Sequence, residues 1–112
     1  MLRSVSLGVI ALTATLGLCG VAAAAEGVTV QLTLKDHAFS PAEPTVDAGK
    51  PITIEITNAD PTPAEFESKQ LRVEKLLVAG GKISVQVRPL TAGRYKFFDD
   101  QHQGTEGFLV VK

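Results

Sequence analysis

Sulfur is almost absent from this chain. Its 112 residues include one cysteine and one methionine, Cys19 and Met1, and both precede residue 26. Residues 26–112 can therefore form no disulfide, and they offer a metal ion neither a thiolate nor a thioether. An exported protein without disulfides depends on a hydrophobic core for its stability. Any metal bound by this part of the chain is held by nitrogen and oxygen atoms.

An excess of charge of either sign is also missing. The chain has 11 Lys and Arg against 12 Asp and Glu, and without Arg3 the balance is ten against twelve, a formal charge near −2. Proteins that bind nucleic acid or anionic lipid concentrate basic residues on one surface, so we expect no nucleic-acid partner. A glycine-rich strand-to-helix motif of the kind that binds phosphate is absent as well.

The first 25 residues have the features of a secretory signal peptide. Arg3 gives a positive start, an apolar run extends from Val5 to Leu18, and the small residues 22–25 then offer a cleavage site. The apolar run is short for a membrane span and has no positive flank behind it. We therefore expect residues 1–25 to be removed during export and residues 26–112 to form one domain that does not span the membrane.

The remaining chain has the pattern of short β-strands. Apolar and polar residues alternate in three segments, 28–35, 52–57 and 83–87, as in strands with one buried face. Residues 66–78 favour extended structure, although 71–78 are open between strand and helix, and Gly80-Gly81 predicts a hairpin turn after them. Short strands separated by turn residues at intervals near ten predict an all-β fold, an antiparallel β-sandwich.

The segment from Gly93 to Gly107, GRYKFFDDQHQGTEG, resembles the final hairpin of the cupredoxins, a family of small Greek-key β-sandwiches that carry copper. The family pattern is Gly-x-Tyr-x-Phe-aromatic-Cys-x-x-His followed by Met-x-Gly. This chain keeps the histidine as His102 but has Asp99 at the cysteine position and Thr105 at the methionine position. Glu65 lies where the family has its first histidine ligand. The resemblance thus implies a cupredoxin-like fold without the sulfur ligands of blue copper.

Three further strings narrow the resemblance: KDHAFSPAE at 35–43, PAEFES at 63–68 and YKFFDDQH at 95–102. They are similar to the cupredoxin-like domains that accompany bacterial high-affinity iron uptake systems, either as separate periplasmic proteins or within EfeO-type proteins. This resemblance implies a periplasmic protein that assists iron uptake by binding, delivering or changing the oxidation state of iron, with copper as a second candidate ion. Its expected partner is an inner-membrane iron permease or another periplasmic iron-binding protein.

The resemblance also implies that several loops meet at one end of the sandwich, where they would bring together the predicted metal ligands His37, Glu65, Asp99 and His102. Two imidazoles and two carboxylates suit iron, copper(II), zinc or manganese. Glu67 and Asp100 lie next to these residues, and we predict for them a supporting role or a weaker site for a hard cation.

Each of these residues also has an ordinary structural interpretation. His37 and His102 can be surface histidines, Asp99 can cap a turn, and Glu65 can be a solvated loop carboxylate. The corresponding alternatives for the protein are a metal-free β-sandwich that binds a partner protein, or a copper-binding electron-transfer protein. No nucleophile and base can be paired, so we expect no independent enzyme activity, although an accessory part in oxidising ferrous iron stays open.

Overall fold

The computed structural model describes residues 26–112, so the predicted signal peptide, residues 1–25, lies outside the described residues. Within 26–112 no helix has the length and apolar character of a membrane span. The described chain forms nine strands: β1 (Val28–Lys35), β2 (Ala38–Ser40), β3 (Thr45–Val46), β4 (Ile52–Asn58), β5 (Ala64–Ser68), β6 (Val73–Leu77), β7 (Lys82–Val87), β8 (Gly93–Asp99) and β9 (Glu106–Val111).

The strands form two sheets that face each other. The first sheet has the order β2-β1-β4-β7 and the second has the order β3-β9-β8-β5-β6. The prediction of an all-β sandwich is confirmed. Both sheets are mixed, however, because β1 pairs with β4 and β3 pairs with β9 in parallel, whereas the other pairings are antiparallel. Alternation of apolar residues identifies a strand and its buried face but not its direction, so the sequence pattern does not reveal these parallel pairings.

The core lies between the two sheets. Alternation places Leu32 and Ile56 of the first sheet and Phe66, Phe97 and Leu109 of the second sheet inward, each at most 2% exposed. Burial of a side chain of this size contributes about 1.5–3 kcal/mol relative to leaving it in water. The rings of Phe66 and Phe97 lie 5.5 Å apart between centroids, within the range in which aromatic pairs attract each other.

The segment 66–78 contains the end of β5 and the whole of β6, which lies at the edge of the second sheet, so extended structure is confirmed for these parts. Residues 69–72 between the two strands form a turn instead. The turn that follows is tight, since the N–H of Gly81 donates to the carbonyl of Val78 at 2.9 Å and Gly80 has a φ of 69°. The prediction of a hairpin here is wrong, because β6 and β7 belong to different sheets. The glycines allow the chain to cross from one layer of the sandwich to the other.

Candidate metal centre

His37 lies on a two-residue turn between β1 and β2, where Lys35 is paired with Ala38. Asp36 and His37 both have positive φ, 51° and 57°, as in the type I′ turn that matches the twist of a hairpin. For residues other than glycine this conformation costs about 1 kcal/mol each. Asp60 offsets the cost, since its Oδ1 accepts the N–H of Asp36 at 2.6 Å and its Oδ2 accepts the N–H of His37 at 2.9 Å.

Asp60 is itself buried, with 6% of its surface exposed. The hydrogen bond from the backbone of His37 is the main reason that the pKa of Asp60 lies below its ordinary value, and it outweighs the loss of hydration, which acts in the opposite direction. Asp60 is therefore a carboxylate at neutral pH. Asp60 is not among the ligands predicted from the sequence.

Asp99 and His102 form the second half of the site. Asp99 ends β8 and is 2% exposed. Its Oδ1 accepts the N–H groups of Glu65 at 3.0 Å and of Gln101 at 2.9 Å, while its Oδ2 lies 2.6 Å from Nδ1 of His102. Because a carboxylate only accepts, Nδ1 of His102 donates, and its Nε2 is left free to bind a ligand.

The two histidines are in direct contact. Their ring centroids lie 4.1 Å apart with an angle of 30° between the ring planes. Nδ1 of His37 is 3.6 Å from Oδ2 of Asp60, which is an ion-pair distance and not a hydrogen bond. Each imidazole thus has a buried carboxylate beside it. We call His37, Asp60, Asp99 and His102 the histidine pole.

A second group of carboxylates lies on the outer face of the second sheet. Glu65 and Glu67 alternate along β5 with buried residues, so their side chains point away from the core. Ligand atoms of Glu65, Glu67 and Asp100 all lie within 4.8 Å of one another, and Glu74 is paired with Glu67 across β5 and β6. A side-chain hydrogen bond with Glu65, together with the negative charges around it, raises the pKa of Glu74. We call Glu65, Glu67, Glu74 and Asp100 the acidic face.

The four predicted ligands are therefore divided between two places. His37, Asp99 and His102 lie in the histidine pole, whereas Glu65 gives that pole only its backbone N–H. Within residues 26–112, the one group of three or more possible ligands within 4.8 Å of one another is Glu65, Glu67 and Asp100, so the predicted four do not form such a group in this conformation. Strand alternation turns Glu65 outward, and the residues of the histidine pole do not by themselves bring three ligand atoms within that distance in this conformation either. Metal binding at each of these residues stays a prediction.

An open cleft of about 540 Å³ adjoins His102 and gives it access to solvent. Its lining includes Phe98, Asp99, Lys69 and Lys96 as well as His102. The donors of the pole are imidazole and carboxylate, which fit iron, copper(II) and zinc, and they do not fit a thiolate-bound blue copper centre.

Comparison with known proteins supports the architecture. The family model of the cupredoxin-like domain matches residues 8–111. An uncharacterized protein of Rickettsia prowazekii (strain Madrid E), RP394, is 41% identical over 83 residues, which are 73% of this chain and 66% of that protein. The chain thus spans slightly less than two thirds of this relative.

Two solved structures are similar in fold. The metal binding domain of the Streptococcus pneumoniae D39 Cu(I) exporting P-type ATPase CopA, solved with Cu(I), superimposes with a TM-score of 0.69 at 17% identity, covering 78% of this chain and 88% of that one. Auracyanin A, a "blue" copper protein from Chloroflexus aurantiacus, gives a TM-score of 0.66 at 18% identity, covering 78% and 100%. At these identities the likeness concerns the fold alone.

Proposed function

Because this chain belongs to the cupredoxin-like domain family, we propose that it is an exported protein that binds an iron or copper ion at the histidine pole and assists iron uptake. Its fold is related to that of copper-binding proteins. The observation that carries the proposal is the stacked pair of His37 and His102, each imidazole lying beside a buried carboxylate. Two surface histidines without a function would not require a buried carboxylate beside each imidazole.

His102 and His37 supply the nitrogen ligands. The hydrogen bond between Asp99 and His102 fixes the ring orientation and makes Nε2 the available donor, as carboxylates beside metal-binding histidines commonly do. In this conformation Asp99 orients a ligand, and its predicted role as a ligand itself requires that it release His102. A bound iron or copper ion would supply one-electron exchange. Oxygen and nitrogen donors favour the higher oxidation state more than sulfur donors do, so we expect a comparatively low reduction potential.

The acidic face extends this proposal to hard cations. Carboxylate oxygens suit iron better than copper(I), and three of them already lie close enough to share an ion. We propose that the protein acts in the periplasm after removal of residues 1–25. There it would pass iron to an inner-membrane permease or to another periplasmic iron-binding protein.

The experiment uses residues 26–112, treated with a chelator and then supplied with copper(II), zinc or, without oxygen, iron(II). A ligand that binds only the folded state raises stability by mass action, about 2.7 kcal/mol at a hundred times its Kd. We expect such a gain for the wild type, and with copper(II) or zinc, ions that imidazole suits, we expect its loss in His102→Ala. Gln103→Ala, which changes an exposed neighbour in the same loop, is the matched control and should keep the gain.

The outcomes separate the candidate functions. If no metal stabilises the wild type, the proposal fails, and a metal-free module that binds a partner protein becomes the better account. Growth of a deletion strain distinguishes iron uptake from copper-based electron transfer. We expect slower growth when iron is limiting, restored by the wild-type gene but not by His102→Ala. A defect seen only when copper is limiting would contradict the role in iron uptake.

A further inference from the structure

His37 is placed more firmly than its exposure implies. Its side chain is 49% exposed, and a half-exposed histidine on a two-residue turn would ordinarily sample several orientations. Here the backbone N–H and the backbone carbonyl of His37 are both held by hydrogen bonds to side chains. The N–H of His37 donates to Asp60 at 2.9 Å, and the carbonyl of His37 accepts a hydrogen bond from Oγ1 of Thr105 at 2.6 Å.

The first of these hydrogen bonds is accepted by Asp60, which lies on a loop that the side chain of Asn58 holds in place. Asn58 is fully buried, and its Nδ2 donates to the carbonyl of Thr62 at 2.8 Å and to that of Leu77 at 3.2 Å, while its Oδ1 accepts the N–H of Asp60 at 3.0 Å. Asp60 is thus presented beneath the turn by a buried amide. Its two oxygens receive two consecutive N–H groups, an arrangement in which backbone dipoles favour an anion.

The second hydrogen bond, donated by Thr105, connects the loop of His102 to the turn of His37. Thr105 is 4% exposed and lies three residues after His102, at the position where the resemblance has a methionine. Its hydroxyl crosses to the carbonyl of His37, a residue 68 positions away in the sequence. The side chain at this position therefore attaches the loop of His102 to the turn of His37.

We propose that Asp60 and Thr105 are positioning residues of the metal centre. Together they hold the His37 turn so that its imidazole stays against His102 before any ion arrives. The role in metal binding rests on the proposed function, whereas the placement of His37 does not. A site whose ligands are already placed loses less entropy on binding. Residues that orient ligands in this way typically change metal affinity by about 10–100-fold when they are replaced.

Thr105→Val tests the hydroxyl with little change of volume, and Thr105→Ser restores it. Asp60→Asn replaces one acceptor oxygen with an amide nitrogen that cannot accept. The chain has two histidines, so proton NMR of the metal-free protein can follow the contact between their rings directly. We expect Thr105→Val and Asp60→Asn to lose this contact, and Thr105→Ser and the exposed control Asp47→Asn to keep it.

Copper(II) provides the second measurement. We expect the affinity for copper(II) to fall about 10–100-fold in Thr105→Val and Asp60→Asn. The nitrogen couplings in the electron paramagnetic resonance spectrum should change from those of two imidazoles to those of one. Thr105→Ser should match the wild type in both respects, a result that a purely structural effect of substitution at this position would not give.

The failures are distinguishable. If the wild type binds no copper(II), the proposed function fails, while the NMR contact still decides whether Asp60 and Thr105 place His37. If Thr105→Val keeps both the ring contact and wild-type affinity, the positioning role is overturned and metal binding stands. Thermal unfolding checks that each variant is folded. Should Thr105→Val not fold, Thr105→Ala, which lacks the hydroxyl and adds no bulk, takes its place with the same expected results.

Discussion

The histidine pole and the acidic face both contain several carboxylates, but these carboxylates have opposite surroundings in the two regions. In the pole, Asp60 and Asp99 are buried, and every carboxylate oxygen has a hydrogen-bond donor. On the acidic face, Glu65, Glu67 and Asp100 are at least partly exposed and lie against one another. Carboxylates that accept N–H bonds are committed to the structure, whereas crowded carboxylates gain from any cation that separates them.

The same contrast appears in the titration of the two regions. Hydrogen bonding from the turn lowers the pKa of Asp60, so its negative charge supports the fold. A side-chain hydrogen bond with Glu65, together with the neighbouring negative charges, raises the pKa of Glu74, so its negative charge opposes the fold. Negative charge on Asp60 therefore favours the folded state, whereas negative charge on Glu74 disfavours it.

The largest expected effect comes from breaking the pole at Asp99. Asp99→Ala removes the buried partner of His102 and leaves the N–H groups of Glu65 and Gln101 without their acceptor in a partly buried setting. A lost charged acceptor of this kind costs about 3 kcal/mol in the free energy of unfolding. The adjacent Asp100→Ala should change stability by no more than about 0.5 kcal/mol, since Asp100 is exposed. Urea unfolding measures both, and similar losses in the two variants would contradict the contrast.

A smaller effect is expected when a hard cation meets the acidic face. In a His102→Ala background, manganese(II) at ten times its Kd should raise stability by about 1.4 kcal/mol. Replacing Glu65 and Glu67 together by glutamine should abolish this gain. The matched control replaces Glu43 and Glu55, which form ion pairs elsewhere, and should keep it. An undiminished gain in the Glu65/Glu67 variant would show that the cation binds at another place.

The smallest effect concerns Glu74 and pH. Because its pKa is raised in the folded state, the contribution of Glu74 to stability is fully present when the pH is below the ordinary glutamate range and is lost as the pH rises through the folded pKa. Glu74→Gln should therefore be more stable than the wild type at neutral pH, and the difference should shrink as the pH falls to about 4. Urea unfolding at several pH values measures the difference, with Glu26→Gln, at the exposed start of the described chain, as the control for removing one glutamate charge.

Much of the fold could be predicted because it depends on local pattern. The alternation in 28–35 and 52–57 reports which face is buried, and both segments are strands, β1 and β4. The same alternation predicts that the side chain of Glu65 points away from the core, because Glu65 lies between the buried residues Ala64 and Phe66. The prediction that Glu65 and His102 bind the same ion rests instead on the resemblance, in which Glu65 lies at the position of the family's first histidine ligand.

The part of the site that sequence reasoning missed depends on contacts between distant residues. Asp60 appears in the sequence as one more acidic residue in a turn-rich loop. Its role follows from a hydrogen bond to His37, 23 residues earlier, and the weak sequence signal was its proximity to Asn58 at the end of a strand. From the sequence, Thr105 is only the residue at the family's methionine position, whereas in the structure its hydroxyl donates to the carbonyl of His37.

The donor chemistry and the layered architecture follow from the amino-acid sequence, because residues 26–112 contain no sulfur and because a period of two leaves a strand only one face to bury. The tertiary structure alone decided which carboxylates stand beside the imidazoles and which crowd together. That choice depends on how loops 23 to 68 residues apart share hydrogen bonds at one end of the sandwich, and no local pattern contains this information.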